Sequence, residues 1–560
     1  MTGQQLSHRW DDEVDFVAVG SGAGGLSAAI TADELGLSAV VLEKASVVGG
    51  VTAISHGLVW APGNPLAAAA GIDDSREAAL RYVEWMGAGL ADESLLRNYL
   101  DHVTIVLDFL QEKAGVRWRV STNVADAYWP EHDDACEEGR YVEVEPFSAP
   151  SLGAWADKVR VSPHVPFRMT VAEMFSPPSA EMSARVARRT EDDVRCAGPG
   201  LVAYLVKNVV DRDIPIHTDT RVDELIVDDN RVIGVKATRA GREFRVRARH
   251  GVLLATSGID WNAELIKHHS QQMDARSVVP REVTGDHISL AGRVGAKLAS
   301  VLPWAGFLGF QVPGDQFEGD DLWRQAAGVT GSPHALVVNR SGRRFGDESF
   351  PLSIDNALHV FDGTTQRHPN YPCWLIVDSQ FTEKYPMGPI EPGESYPDGF
   401  AMQAETLDEL AAAAGIDGDG LNDQVALFNG YADDGRDADF NRGGKAYSQM
   451  VSGDMDVVNP NLGAVSKAPY YAIPLTIVYT GIASVGLVAD TRGRVTNYDD
   501  EPIAGLYVAG NSMAWLDTGA GYQAGMAIGR GLIYGHLAAC DAAESARQAE
   551  VRQATVLTPR

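Results

Sequence analysis

One short stretch limits the folds open to this chain of 560 residues. VDFVAV (14–19) is an apolar run of strand length, GSGAGG (20–25) follows without a gap, and LSAAITADELG (26–36) is a good helix former. A second apolar run, SAVVLEK (38–44), completes a strand–helix–strand unit, which requires a parallel sheet. GSGAGG matches GxGxxG at Gly20, Gly22 and Gly25. In such a turn the first glycine permits the tight bend, the second lets backbone approach a pyrophosphate, and the third lets the helix pack on the strand. The helix opening at Ala23 offers free N–H groups and partial positive charge to phosphates.

Glu43 ends the second run, where an acid is expected to hold a ribose with a free 2′-hydroxyl, and Lys44 follows it. A glycine pair comes next, Gly49 and Gly50, with Thr52, Ser55 and Gly57 close behind. A nicotinamide site does not need this second glycine cluster. FAD does, because its ribityl and ring system must be led away from the nucleotide fold. GVLLATSG (251–258) and GLYVAGN (505–511) read as two more strand ends meeting the same ligand, through Gly258, Gly510 and Asn511. The 57 glycines of the chain are consistent with so much close backbone.

The rest of the chain reads as an α/β protein. In ESLLRNYLDHVTIVLDFLQEKAG (93–115) apolar residues recur at three- and four-residue steps, and Gly115 is placed to cap the helix. Residues 117–200 read as irregular. A helix (201–210) and a small meander (221–249) follow. HALVVNRSGRRFGDES (334–349) reads as strand–turn–strand, and Thr406 with Glu409 forms a capping box before an Ala-rich helix. The spacing divides the chain into an FAD-binding domain, 1–280 with 470–560, and a substrate domain, 281–469.

The formal charge of −29 argues against nucleic acid and anionic membrane surfaces as partners. Cys136, Cys196, Cys373 and Cys540 are too scattered for a zinc ribbon or a disulfide scaffold, and free thiols fit a cytoplasmic location. No metal site, signal core or membrane-spanning run is expected.

GSGAGG, the EK pair, GGVTAISHG, GVLLATSGIDWN, GRRFGDES and IAGLYVAGN together resemble the fumarate reductase and 3-ketosteroid Δ1-dehydrogenase flavoprotein superfamily, over about residues 14–540. The Tyr-Trp-Pro at 128–130 and GDESFP lean toward the ketosteroid dehydrogenases. The resemblance implies a Rossmann-like FAD domain built from both chain ends, with an inserted α+β capping domain over the substrate. It also implies desaturation beside a ketone. A base removes the α-proton, FAD N5 accepts hydride from the β-carbon, and hydrogen bonds hold the carbonyl.

Carried over residue by residue, the family's first tyrosine falls on Tyr128, the leading base or proton relay. Its second falls on Leu352. Counting from Asn511, its third falls on Gly521, with Tyr522 next door, and the glycine whose N–H binds the ketone falls on Gly525. Leu352, Tyr522 and Ala483 stand where the reductases carry arginines and a histidine, which disfavours a dicarboxylate substrate. The expected site therefore has Tyr522 and the Gly525 N–H polarising a cyclic ketone. His56, inserted in the family's Ser-Gly-Gly run, is a proton relay or a neutral residue lining the FAD pocket. The expected partners are that small-molecule ketone and an unidentified electron acceptor. Two rival readings stay open at this point: an ene-reductase fed by an external donor, and a flavin-binding protein without catalysis.

Overall fold

The computed structural model describes residues 9–270, 276–300, 306–482 and 485–557. Ala483 lies outside them. The strand Asp12–Val19 has parallel neighbours on both sides, Ala39–Leu42 and Arg242–Leu254. A strand so placed is covered on both faces, which is why Phe16, Val17 and Ala18 are all apolar and fully buried.

Around it runs an eight-stranded sheet. Its order is Arg494–Thr496, Pro502–Val508, Arg231–Arg239, Arg242–Leu254, Asp12–Val19, Ala39–Leu42 and Ile216–His217, with Thr220–Asp228 paired on Arg231–Arg239. The expected meander is real and is fused to this sheet. Its last strand has 13 residues. The first part closes the meander; the end lies between the N-terminal strand and Pro502–Val508. The register Val19↔Leu42, Val19↔Leu254 and Leu254↔Val508 brings four strand ends to one edge. Ligands of open parallel sheets bind at that edge.

The helix Ala23–Glu34 is buried from Ala23 to Ala32 and packs on the C-terminal helix Met526–Leu557. Ser27 Oγ donates to Leu532 O at 3.1 Å across that contact. Helix Glu93–Ala114 follows the apolar spacing, and Gly115 caps it in the left-handed region at φ 58°.

A second, seven-stranded sheet is largely antiparallel. Its order is Asp320–Gln325, Gly306–Phe317, Tyr470–Tyr479, Cys373–Asp378 and Ala335–Asn339, with Arg276–Ser277 and Met402–Ala404 also on the central strand. Arg276–Ser277 and Tyr470–Tyr479, counted with the FAD-binding segments in the sequence reading, thus pair within this second sheet. Helices Leu407–Ala414 and Gly418–Asp434 cover one face through Leu410, Leu421, Val425 and Phe428. The capping box is formed: the Glu409 N–H donates to Thr406 Oγ1 and the Thr406 N–H to Glu409 Oε2, both at 3.2 Å.

Three local expectations are corrected. Residues 117–200 contain the helix Ala180–Glu191, none of whose residues is buried. Its half-buried side is Met182, Arg185, Val186 and Arg189, so arginines interrupt the apolar spacing, and Arg185 and Arg189 hold it on Glu173. The next helix begins at Ala197, four positions early. After the strand Ala335–Asn339, GRRFGDES makes no second strand, because Arg344 turns inward to pair with Glu348 at 2.6 Å and Asp437 at 2.8 Å. All four cysteines are free, Cys196 and Cys373 buried and the other two half-buried. Among the described residues no helix is long and apolar enough to cross a membrane.

Candidate active site

A cavity of about 720 Å³ opens at the edge where the parallel strands end and continues to the second sheet. Its first part is the glycine turn. Gly20 bends at φ 108°, and a Cβ there would lie 2.3 Å from Ala255 O. A Cβ on Gly25 would lie 1.8 Å from Gly20 O, so only glycine lets the helix start this close to the strand. Gly22 precedes the helix and faces the cavity, and the Ala23 N–H donates to Thr52 Oγ1 at 3.0 Å.

Glu43 lies in the cavity wall and is tied to the turn. Its Oε2 accepts from the Ser21 N–H at 2.9 Å and the Ser21 hydroxyl at 2.5 Å, and its Oε1 accepts from the Ala45 N–H at 2.8 Å. Ser21 also accepts from the Gly49 N–H at 3.0 Å. Ser21 occupies a variable position of the motif, so nothing in the pattern marks it. Lys44 lines the cavity, with its ammonium on Thr284 Oγ1 at 2.7 Å and on Asp286 at 3.0 Å.

Gly50, Thr52, Ser55, Gly57, Gly510 and Asn511 line the cavity as well. Gly49 is one layer back, packed on Ala53 and Val202. Gly258 is buried and outside the wall, while Ala255, Thr256 and Ser257 line it. The strand ends at Leu254, so the residues directly after it, not the fourth, meet the cavity.

Three buried polar atoms in this wall have no partner among the described residues: Ser257 Oγ, Thr480 Oγ1 and Asn511 Oδ1. An unsatisfied buried group costs about 1–3 kcal/mol, so such a wall is built for a polar ligand. A helix N-terminus for a pyrophosphate, an acid for a ribose and these orphaned acceptors and donors together fit FAD.

Phe307, Val329, Phe350, Leu352, Tyr447 and Met450 line the rest of the cavity, together with Tyr522 and Gly525. Tyr522 meets Phe307 with ring centroids 6.3 Å apart, and burial pushes its pKa upward. Gly525 has φ +83°, and the C-terminal helix starts at the next residue. Gly521 could not carry the family's tyrosine here, since a Cβ would lie 2.1 Å from Met86 Cγ. Leu352 is buried in the wall, as its sequence position implied.

Tyr128 stands behind that wall, not in it. Its ring packs edge-on against Phe350 at 5.3 Å and Trp85 at 5.1 Å, and burial pushes its pKa up to about 12. His56 does line the cavity. Its ring is accessible and lies 6.4 Å from that of Phe175. Burial lowers its pKa, so it is neutral at pH 7. His164 nearby is lowered to about 4, also by burial.

Two networks that the sequence did not reveal lie close by. Asp126 accepts from Arg140 at 2.7 Å, from Trp60 Nε1 at 2.8 Å and from Gln523 Nε2 at 3.1 Å. The same Gln523 amide donates to the Tyr141 hydroxyl and accepts from Tyr82 at 2.8 Å. This network fixes the segment that carries Tyr522. Arg344, Glu348, Asp437 and Arg442 form a second, fully buried set, packed on the rings of Phe428 and Phe440. Charged residues scattered over a hundred positions leave no local pattern to read.

Residues 15–528 match the family model described as FAD binding domain. The chain is 32% identical to a 3-oxosteroid 1-dehydrogenase of Mycolicibacterium smegmatis, over 98% of both chains. It is also 32% identical to a 4-oxocyclohexanecarboxylate 2-dehydrogenase of Sinomonas cyclohexanicum, over 94% of this chain and 92% of that protein. Among solved structures it is similar to the 3-ketosteroid delta1-dehydrogenase of Sterolibacterium denitrificans in complex with 1,4-androstadiene-3,17-dione. The TM-score is 0.86 at 30% identity, covering 95% of this chain and all of the other.

Proposed function

The chain belongs to the FAD binding domain family of flavoproteins, and from that premise we propose that it is a dehydrogenase that introduces a C=C bond beside the carbonyl of an uncharged cyclic ketone. One observation carries the reading: the cavity that fits FAD is one with a largely apolar chamber lined by Tyr447, Tyr522 and Gly525. In this reading residues 276–280 and 470–479 go with the inserted capping unit, and the remainder of 1–280 and 470–560 holds the cofactor.

Bound FAD would supply the two-electron acceptor. The apolar wall excludes water and suits a ring better than a sugar or an acid. Tyr522, kept protonated by burial, donates to the ketone oxygen together with the Gly525 N–H. In a chamber of low polarity such donors favour the enolate-like state strongly and make the α C–H acidic. The α-proton needs an unprotonated acceptor. The phenols are held protonated, whereas His56 is held neutral, so His56 takes the proton and Tyr128 backs Phe350. The test is to add steroid ketones and simple cyclohexanones to the yellow protein without oxygen. Bleaching of the flavin by a ketone is the expected result. Ketone binding with no bleaching across the panel would leave only a flavin-binding protein.

The lowered pKa of His56 sets a pH signature. A base with a depressed pKa keeps its accepting form to more acid pH. The bleaching rate is therefore expected to stay level through pH 7 and to fall only below the ordinary imidazole value of about 6.5. His56→Asn should slow bleaching by about 10²-fold and remove that acid limb. Single-turnover rates between pH 5 and 8 check it, and an acid limb that survives in the variant counts against the assignment.

The cavity charges bear on the substrate. Among the described residues each arginine or lysine of the wall is paired: Lys44 with Asp286, Arg160 with Glu318 and Glu282, and Arg324 with Asp315 at 2.7 Å. A substrate carboxylate, such as the one in the name of the Sinomonas relative, would find no available cation. A cyclohexanone carboxylate should bleach the flavin at least about tenfold more slowly than the uncharged ring, and Asp315→Asn, which releases Arg324, should narrow that gap. Equal rates for both in the wild type would overturn the preference for an uncharged ring.

A further inference from the structure

We propose that the Tyr447 hydroxyl is a second hydrogen-bond donor to the ketone oxygen, beside Tyr522, in the place left by the phenol that this chain lacks at position 352. The inference rests on the desaturase reading above. Ala127, Phe350 and Leu352 form one buried cluster, and Tyr128, Tyr447 and Tyr522 all pack against it. A leucine at 352 therefore leaves phenols on neighbouring elements around the same spot. Of these, Tyr447 and Tyr522 line the cavity and Tyr128 does not.

Tyr447 is held rigidly. Its ring stands edge-on to Phe350, with centroids 6.2 Å apart. The short helix Ala446–Ser452 that carries it is pinned by Asn461 Nδ2, which donates to Ser448 O at 3.2 Å and Gly331 O at 2.8 Å. Arg442, just before it, donates to Asn461 O and Ser332 O, both at 2.8 Å. Lys445 pairs with Glu131 at 2.9 Å, its ammonium 4.8 Å from the Phe350 ring centroid.

The hydroxyl itself makes no protein hydrogen bond among the described residues, and burial is what raises its pKa. Buried tyrosines usually find a partner for that group. Tyr447 lines the cavity, which offers room for one. Tyr447 and Tyr522 are near enough for the charge of one phenolate to oppose that of the other. Both therefore stay protonated, and an oxygen gaining negative charge between them accepts two hydrogen bonds.

The test uses the FAD-loaded protein and 4-nitrophenol, whose phenolate mimics the enolate oxygen. Its absorbance reports both binding and the pKa of the bound ligand. The wild type is expected to bind it with a lowered pKa. Tyr447→Phe should raise that value by about one unit, a tenfold loss, at unchanged FAD content. Tyr522→Phe should act likewise, and the double variant more. Tyr447→His restores an N–H donor and should recover part of the shift, which a ring that only packs would not do. A bound pKa and affinity unaltered in Tyr447→Phe would overturn the proposal, as would a wild type that does not bind the probe. If the probe behaves as expected and no ketone bleaches the flavin, the desaturase reading fails and the assignment of the two donors does not.

Discussion

Gly25→Ala is expected to yield a colourless protein. The added Cβ would sit 1.8 Å from Gly20 O, a backbone atom with no freedom to swing aside. The helix that carries Gly25 is buried along almost its whole length, so it cannot retreat as a body. The turn must open instead. Opening it breaks the Ser21–Glu43 hydrogen bonds and moves the helix N-terminus from the phosphate position. Overpacking alone costs about 1–3 kcal/mol, and the lost cofactor contacts add to it. The ratio of visible to ultraviolet absorbance after gel filtration should show FAD occupancy reduced by about tenfold or more, with a lower melting temperature. A fully yellow Gly25→Ala would mean that the turn does not hold the cofactor as described.

Tyr522→Phe should show the opposite pattern: full colour and slow chemistry. The hydroxyl is remote from the glycine turn, so FAD content is expected to match the wild type. Losing one donor from a site that stabilises a developing oxyanion typically slows a reaction by about 10²–10³-fold. Anaerobic bleaching by the best ketone of the panel measures that directly. Because the effect belongs to the reacting state more than to ground-state binding, the rate at saturation should fall more than the ketone's affinity. A variant that bleaches at the wild-type rate would remove Tyr522 from the chemistry.

What could be read from the chain follows the range of the interactions. Gly20, Gly22, Gly25 and Glu43 were legible because a strand, a turn and a helix impose fixed spacing within some thirty residues. The Thr406–Glu409 box was legible for the same reason. Ser21 was missed although it lies inside the motif, because its hydrogen bond to Glu43 depends on a rotamer and not on spacing. The pattern points to Gly258 where Ser257 lines the wall, because it does not locate the end of a strand to the residue. Tyr128 was placed by motif, yet motif position says nothing about whether a ring stands in the wall or behind it. Tyr447 had no signal of its own. The Asn461 and Arg442 hydrogen bonds that pin its helix join residues up to 130 positions apart and form only on folding.

The strand Arg242–Leu254 touches both ends of the chain at once, Asp12–Val19 on one side and Pro502–Val508 on the other. On the ribosome these neighbours emerge far apart in time. The ~250 intervening residues take on the order of ten to fifty seconds to synthesise, and the edge at Val252–Leu254 stays unpaired throughout. Gly510, Asn511, Tyr522 and Gly525 emerge later still. The nascent chain can shape a phosphate cradle early but has no chamber to close over the ring, so flavin loading belongs to the end of biogenesis. A chaperone that shields that bare edge, or a supply of free flavin when translation finishes, would then govern how much of the protein reaches its yellow form.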